Sequence, residues 1–90
     1  MKANFLLGEI VMTEEARQVL QRLPFDLLAR HAVNDHGSVT EQELASNLHS
    51  VMNTMGVVRS RYKADPTAER SAWVLIETVD TWSKTRISLE

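Results

Sequence analysis

The sequence contains no cysteine, which excludes disulfides, thiol nucleophiles and Cys-ligated zinc. Glycine is scarce. Gly8, Gly37 and Gly56 are scattered, none belongs to a phosphate-cradling loop, and each sits where a turn or a helix end is expected. The two prolines, Pro24 and Pro66, lie in no linker-like composition, and no repeat or low-complexity tract is present, so residues 1–90 read as one small domain. Neither sign of charge dominates: ten Lys and Arg against twelve Asp and Glu give −2, too little to draw the chain to nucleic acid or an anionic membrane by net charge alone. No apolar run approaches the roughly 18 residues of a membrane span. The most apolar stretch, Phe5 to Met12, is interrupted by Glu9 and followed by no small-residue cleavage site; it reads as neither span nor signal peptide, and a bacterial-type cytoplasm is the expected location. A chain of this size buries only about 60 to 65% of its unfolded surface, which leaves little room for a deep, enclosed active site. There is no Gly-x-Ser-x-Gly elbow either.

What is present is periodicity. After an extended segment near residues 5 to 11, Thr13 is placed to cap a helix with Glu14 and Glu15 at the positive end of its dipole and Ala16, Val19, Leu20 and Leu23 on its apolar face. Pro24 ends that helix and starts the next, whose stripe is Leu27, Leu28 and Ala32 before Asn34, Asp35 and Gly37 break it. Thr40 with Glu43 forms a capping box, and Val39 with Leu44 has staple spacing. Leu44, Leu48, Val51, Met52 and Met55 then mark the expected buried face of a third helix that ends at Gly56. From Val57 the period falls to 2: a strand with Arg59, Arg61 and Lys63 on one face, a turn at Asp65-Pro66, an apolar strand from Ser71 to Thr78, and a last strand from about Thr81 to Leu89. The expected fold class is α+β: a short N-terminal strand, two to three helices, then a three-stranded antiparallel meander with the helices packed on one face. The terminal Leu89-Glu90 has the composition of a cloning remnant, and Glu90 is given no functional weight.

Several of these residues together, Leu7-Gly8 with Thr13 and Ala16, Leu27-Leu28-Ala29-Arg30-His31, Asp35-His36-Gly37, Asn47, Gly56, Ser60-Arg61-Tyr62 and Trp73-Val74-Leu75-Ile76-Glu77, carry a family resemblance. The chain resembles a family of small plasmid-related proteins, carried on bacterial plasmids and genomic islands. Those proteins read Arg-His, two variable residues, then Gly-Asp-Trp-Gly, where this chain has Asn34 for the first glycine and His36 for the tryptophan. The resemblance implies a bacterial, mobile-element setting. It implies no mechanism, because the family has no established activity, cofactor or catalytic residues.

Two constellations invite a functional reading. In the turn Arg30, His31, Asp35 and His36, the histidine and carboxylate at 31 and 35 are four apart and share a helix face, as an acid–base pair or two metal ligands would. His36, five after His31, points off that face and His49 lies on another helix, so a third ligand needs a tertiary coincidence. The expected role is a hydrogen-bonded helix junction, with no metal, cofactor or catalytic residue.

The second constellation is the sheet. If Val79 and Asp80 form a two-residue hairpin loop, Thr78 faces Thr81, Glu77 faces Trp82, Leu75 faces Lys84 and Trp73 faces Arg86. Ala72, Val74, Ile76 and Ile87 then turn to the helices, and the outer face gathers Arg59, Arg61, Lys63, Trp73, Trp82, Lys84 and Arg86, with Leu75 and Glu77 among them. Five cations around two tryptophans suit either a protein contact, self-association included, or stacking of single-stranded bases. The strand, helices, meander order is similar to that of small ribonuclease toxins, but such enzymes hold RNA through a strong basic charge that this chain lacks. The expectation is therefore a non-enzymatic protein-interaction module using its outer sheet face or a strand edge, with a weak single-stranded nucleic-acid binder as the alternative.

Overall fold

The structure, a computed structural model, describes residues 7–53, 56–65, 67–79 and 82–90. Thr13, in an extended conformation, accepts a hydrogen bond on Oγ1 from the Ala16 amide at 3.3 Å and so starts α1, Glu14–Leu20, directly after β1, Glu9–Met12. Gln21 closes α1 in the left-handed region, at φ 62°. Pro24 then begins α2, Phe25–Ala32, where the missing amide is no loss because the first turn has no acceptor for it. The capping box opens α3, Glu41–Asn53: the Thr40 amide donates to Glu43 Oε1 at 3.0 Å and the Glu43 amide to Thr40 Oγ1 at 3.1 Å. Three strands follow, β2 (Val58–Lys63), β3 (Trp73–Val79) and β4 (Lys84–Leu89).

The four strands form one mixed sheet in the order β1-β4-β3-β2. The meander is antiparallel, and β1 lies parallel to β4 with Ile10 opposite Thr85. The class is α+β. Ala16 and Leu28 pack on Tyr62, Val74, Ile76 and Ile87 to make the core between α1, α2 and the inner sheet face. Ile76, Val74, Val58 and Ile87 are completely buried, as their branched shapes and alternation demand.

Three expectations change. First, β3 and β4 are joined through residues 80–83, not through Val79-Asp80: Val79 pairs with Lys84, Thr78 with Thr85, Glu77 with Arg86 and Ile76 with Ile87. The shift relative to the two-residue loop is even, so the strands keep their faces while every cross-strand partner changes. Trp82 leaves the strand altogether and sits half-buried in the turn at φ 66°. Ala72 precedes β3 and is exposed. Second, Val19 on α1 is exposed rather than buried.

Third, α3 is turned over. Leu44, Leu48 and Met52, expected inside, are 50%, 58% and 74% exposed, and Val51 is half-buried, while Asn47 and Ser50 face inward. The reason is what α3 docks on: the free edge of β2, where backbone groups need hydrogen-bond partners more than apolar surface. Asn47 supplies them, its Nδ2 donating to the Arg59 carbonyl at 2.7 Å and its Oδ1 accepting from the Arg59 amide at 2.8 Å. The expectations placed on Phe5, Met55, Pro66, Asp80 and Thr81 fall outside the described residues.

Candidate functional site

The turn after α2 brings together residues that spacing alone kept apart. The helix stops at Ala32, Asn34 adopts φ 64°, and the Asp35 amide reaches back to the Arg30 carbonyl at 2.9 Å. Asp35 therefore faces Arg30 instead of His31, in a two-pronged ion pair at 2.7 and 3.2 Å. That pairing holds the Asp35 carboxyl below its usual range and raises Arg30. The Arg30 guanidinium also lies 4.7 Å from the centroid of the Tyr62 ring, and Tyr62 donates its hydroxyl proton to the Asp35 carbonyl at 2.5 Å. Burial pushes the Tyr62 hydroxyl up to about 12. Gly37, at φ 69°, then lays the chain along β2: the Arg61 amide donates to the His36 carbonyl at 3.0 Å and the Ser38 amide to the Arg61 carbonyl at 2.8 Å. A Cβ at Gly37 would collide with the Arg61 carbonyl and the Tyr62 ring, so the position requires glycine on two counts.

His31 and His36, expected to diverge, converge on Ser60, their rings 5.9 Å apart at 78°. Ser60 Oγ is 2.5 Å from His31 Nδ1 and 2.7 Å from His36 Nδ1. On the far side, His31 Nε2 is 2.9 Å from Thr78 Oγ1, which is 2.8 Å from Thr85 Oγ1, and Thr85 donates to the Leu7 carbonyl at 2.5 Å. A carbonyl only accepts, so counting protons back from Leu7 fixes the directions as far as His31 Nε2, and with His31 kept neutral by burial the remaining directions follow. Thr85 gives its proton to Leu7, Thr78 gives its own to Thr85, and His31 donates from Nε2 to Thr78. His31 Nδ1 then accepts from Ser60, and Ser60 accepts from His36 Nδ1–H. Burial favours the neutral form of both rings. Burial lowers His31 to about 3, helped by the neighbouring His36, and burial likewise lowers His36 although Asp35 opposes it. The site is an internal polar seam across β2, β3 and β4. Among the described residues, no group of three or more His, Cys, Asp and Glu is arranged to hold a metal ion.

The outer sheet face does carry Arg59, Arg61, Lys63, Trp73, Lys84 and Arg86, but not Trp82. Its charges are largely matched. Glu77, 8% exposed, lies between Arg59 at 2.8 Å and Arg86 at 3.5 Å, and Glu43 reaches Arg59 at 3.9 Å. Arg61 stacks over Trp73, 4.0 Å from the ring centroid, and pairs with Glu90 at 2.6 Å, with Lys63 5.9 Å from the same ring. Glu90, set aside on composition, thus holds Arg61 in place and extends the ladder by donating its amide to the Trp73 carbonyl at 3.0 Å. Trp73 lies under a cation, so the two tryptophans form no shared platform.

The edges of the sheet differ sharply. The β2 edge is closed by Asn47, Gly37 and Ser38. At β1, the Glu9 amide donates to the Ser83 carbonyl and the Thr13 amide to the Ile87 carbonyl, both at 2.9 Å, so alternation directs the N–H and C=O of Ile10 and Met12 away from β4. Among the described residues no strand lies beyond them. Beside this edge runs a groove of about 390 Å³ lined by Ile10, Met12, Leu23, Gln21 and two arginines, Arg17 and Arg22. No spacing rule pointed to it, because it exists only once β1 has paired with a strand from the other end of the chain. The chain matches no protein-family model, no curated protein and no solved structure.

Proposed function

We propose that this chain is a non-enzymatic protein-interaction module that takes an extended segment of a partner protein onto the β1 edge, in the cytoplasm of a bacterium and, on the sequence resemblance, in a mobile-element setting. One observation carries the reading: the backbone donors and acceptors of Ile10 and Met12 point outward beside a groove with an apolar floor and two arginines on its wall. An added strand satisfies those groups, places alternate side chains against Ile10, Met12 and Leu23, and meets Arg17 and Arg22 with its carboxylates. The preferred partner segment alternates apolar and acidic residues. The buried polar seam supports the non-enzymatic reading, since burial favours the neutral form of both histidines, His31 spends both ring nitrogens on Ser60 and Thr78, and His36 spends its Nδ1 on Ser60. Its outer face supports nucleic-acid binding less well, because Glu77 and Glu90 already occupy three of its arginines.

Selection from a displayed library of extended peptides tests the proposal. Enriched sequences are expected to be acidic with period-2 apolar positions. Ile10→Pro, which removes an outward donor and leaves the β1–β4 ladder intact, and Arg17→Ala with Arg22→Ala are each expected to weaken binding at least about tenfold. Peptides that bind both variants as well as the parent would sink the β1 assignment. So would enrichment of single-stranded RNA over peptide with a steep salt dependence.

A further inference from the structure

His36 is buried, 4% exposed, yet half of its ring chemistry is unused. Its carbonyl accepts from the Arg61 amide and its Nδ1 lies 2.7 Å from Ser60 Oγ, so backbone and side chain are both fixed. The single Ser60 proton goes to His31 Nδ1, so the bond to His36 needs a proton on His36 Nδ1. In the neutral ring that burial favours, Nε2 is then a bare lone pair. Among the described residues this nitrogen has no hydrogen-bond partner, and it is not sealed from solvent. It opens where His36 helps to line a pocket of about 260 Å³ whose other walls are Asn34, Leu44 and Leu48.

We infer that this pocket binds a small neutral phenol, with the ring against Leu44 and Leu48 and the hydroxyl proton donated to His36 Nε2. The lining selects that chemistry. No ionised side chain borders the pocket, and a lone pair at its base repels the oxygens of a carboxylate or phosphate, so anions are disfavoured twice. An acceptor fixed among apolar walls calls for an apolar body with one donor, and a phenol joins an aromatic ring to a single strongly donating hydroxyl. Size agrees, because a benzene ring fits a cavity of about 150 Å³. The space beside His36 therefore takes one substituted ring and little more.

The occupant is a free molecule rather than a peptide, because the neighbouring β2 edge is already taken. Asn47 holds the amide and carbonyl of Arg59, and His36 and Ser38 hold those of Arg61, so an arriving main chain finds no ladder to join there. The pocket lies at the opposite side of the sheet from β1. It stands whether or not that edge binds a partner segment.

Titration of para-cresol and of its methyl ether separates the donor from the apolar contact without altering the protein. Followed by nuclear magnetic resonance on the isotope-labelled full chain, para-cresol should shift the His36 Nε2, Leu44 and Leu48 signals saturably, with a dissociation constant on the order of 1 mM. The ring nitrogens of His31, both occupied within the seam, should not respond. The methyl ether keeps the ring but lacks the proton, and should bind at least about fivefold more weakly. Para-toluate should not bind. Leu48→Ser, at an exposed position, should leave the circular dichroism unchanged and weaken para-cresol binding at least about threefold. Equal affinity for the phenol and its ether overturns the inference, as do leucine shifts without a shift at His36 Nε2, or tighter binding of para-toluate. Absence of saturation by about 20 mM para-cresol overturns it as well. N-acetyltyrosinamide, the same phenol on a peptide unit, checks the source: binding tighter than that of para-cresol would assign the pocket to a protein tyrosine and overturn the free ligand.

Discussion

His31 is the residue on which the interior turns. Fully buried and lowered to about 3, it must shed its charge to fold, while the unfolded chain takes up a proton near the ordinary histidine value of 6.5. Because the folded value lies below the unfolded one, its contribution is complete above about pH 6.5 and is lost as pH falls from there toward 3. At pH 5 the loss is about 2 kcal/mol, and His36, lowered in the same direction, adds to it. Urea melts at pH 7 and pH 5 check this: the midpoint should fall markedly on acidification in the parent, and the drop should shrink in His31→Gln, whatever that variant costs at pH 7. Equal midpoints at the two pH values would mean that His31 is not held neutral. The sequence made the Arg30 to Gly37 turn stand out, but not what His31 does, because Ser60 and Thr78 are 29 and 47 positions away. Spacing rules reach one or two helical turns; this residue's partners are set by how three strands stack.

At the scale of the element, α3 shows which signals are local and which are not. Its start was readable because both members of the capping box lie within four residues, and Thr40→Ala is expected to cost about 1 kcal/mol, read as a lower urea midpoint. Its buried face was not readable. Hydrophobic periodicity assumes that a helix docks on apolar surface, and α3 docks on a strand edge whose amide and carbonyl demand hydrogen bonds. Asn47→Ala should therefore cost about 2 to 3 kcal/mol by stranding both backbone groups of Arg59, whereas Leu48→Ala should change stability by less than about 0.5 kcal/mol. Denaturant midpoints of the two variants decide which side of α3 faces in, and the reverse ranking would restore the apolar side as the buried one.

Across the whole molecule, the strand parity of β3 and β4 was legible from alternation and survived a wrong loop length because the error was even. The β1–β4 pairing was not legible, since it joins residues near opposite ends of the chain and parallel neighbours share no turn. Among the described residues, that pairing leaves one sheet edge open. The other consequence of global arrangement is the balance on the outer face, where one carboxylate, Glu77, restrains two arginines. Glu77→Gln is expected to release Arg59 and Arg86 and to raise single-stranded RNA binding with a steeper salt slope, measured by fluorescence anisotropy against the parent. An unchanged salt slope would show that pairing with Glu77 does not govern how that face meets phosphate. The seam from His36 to the Leu7 carbonyl has a further property. Since the terminal carbonyl and a neutral His31 together admit one polarity only, no hydroxyl in the line can rotate by itself, and no ring can exchange tautomers without breaking its neighbours' bonds. Ser60, Thr78 and Thr85 thus behave as a single locked dipole, and their hydroxyl protons should be slow enough in exchange with water to appear as separate magnetic resonance signals, lost together when β4 parts from β3.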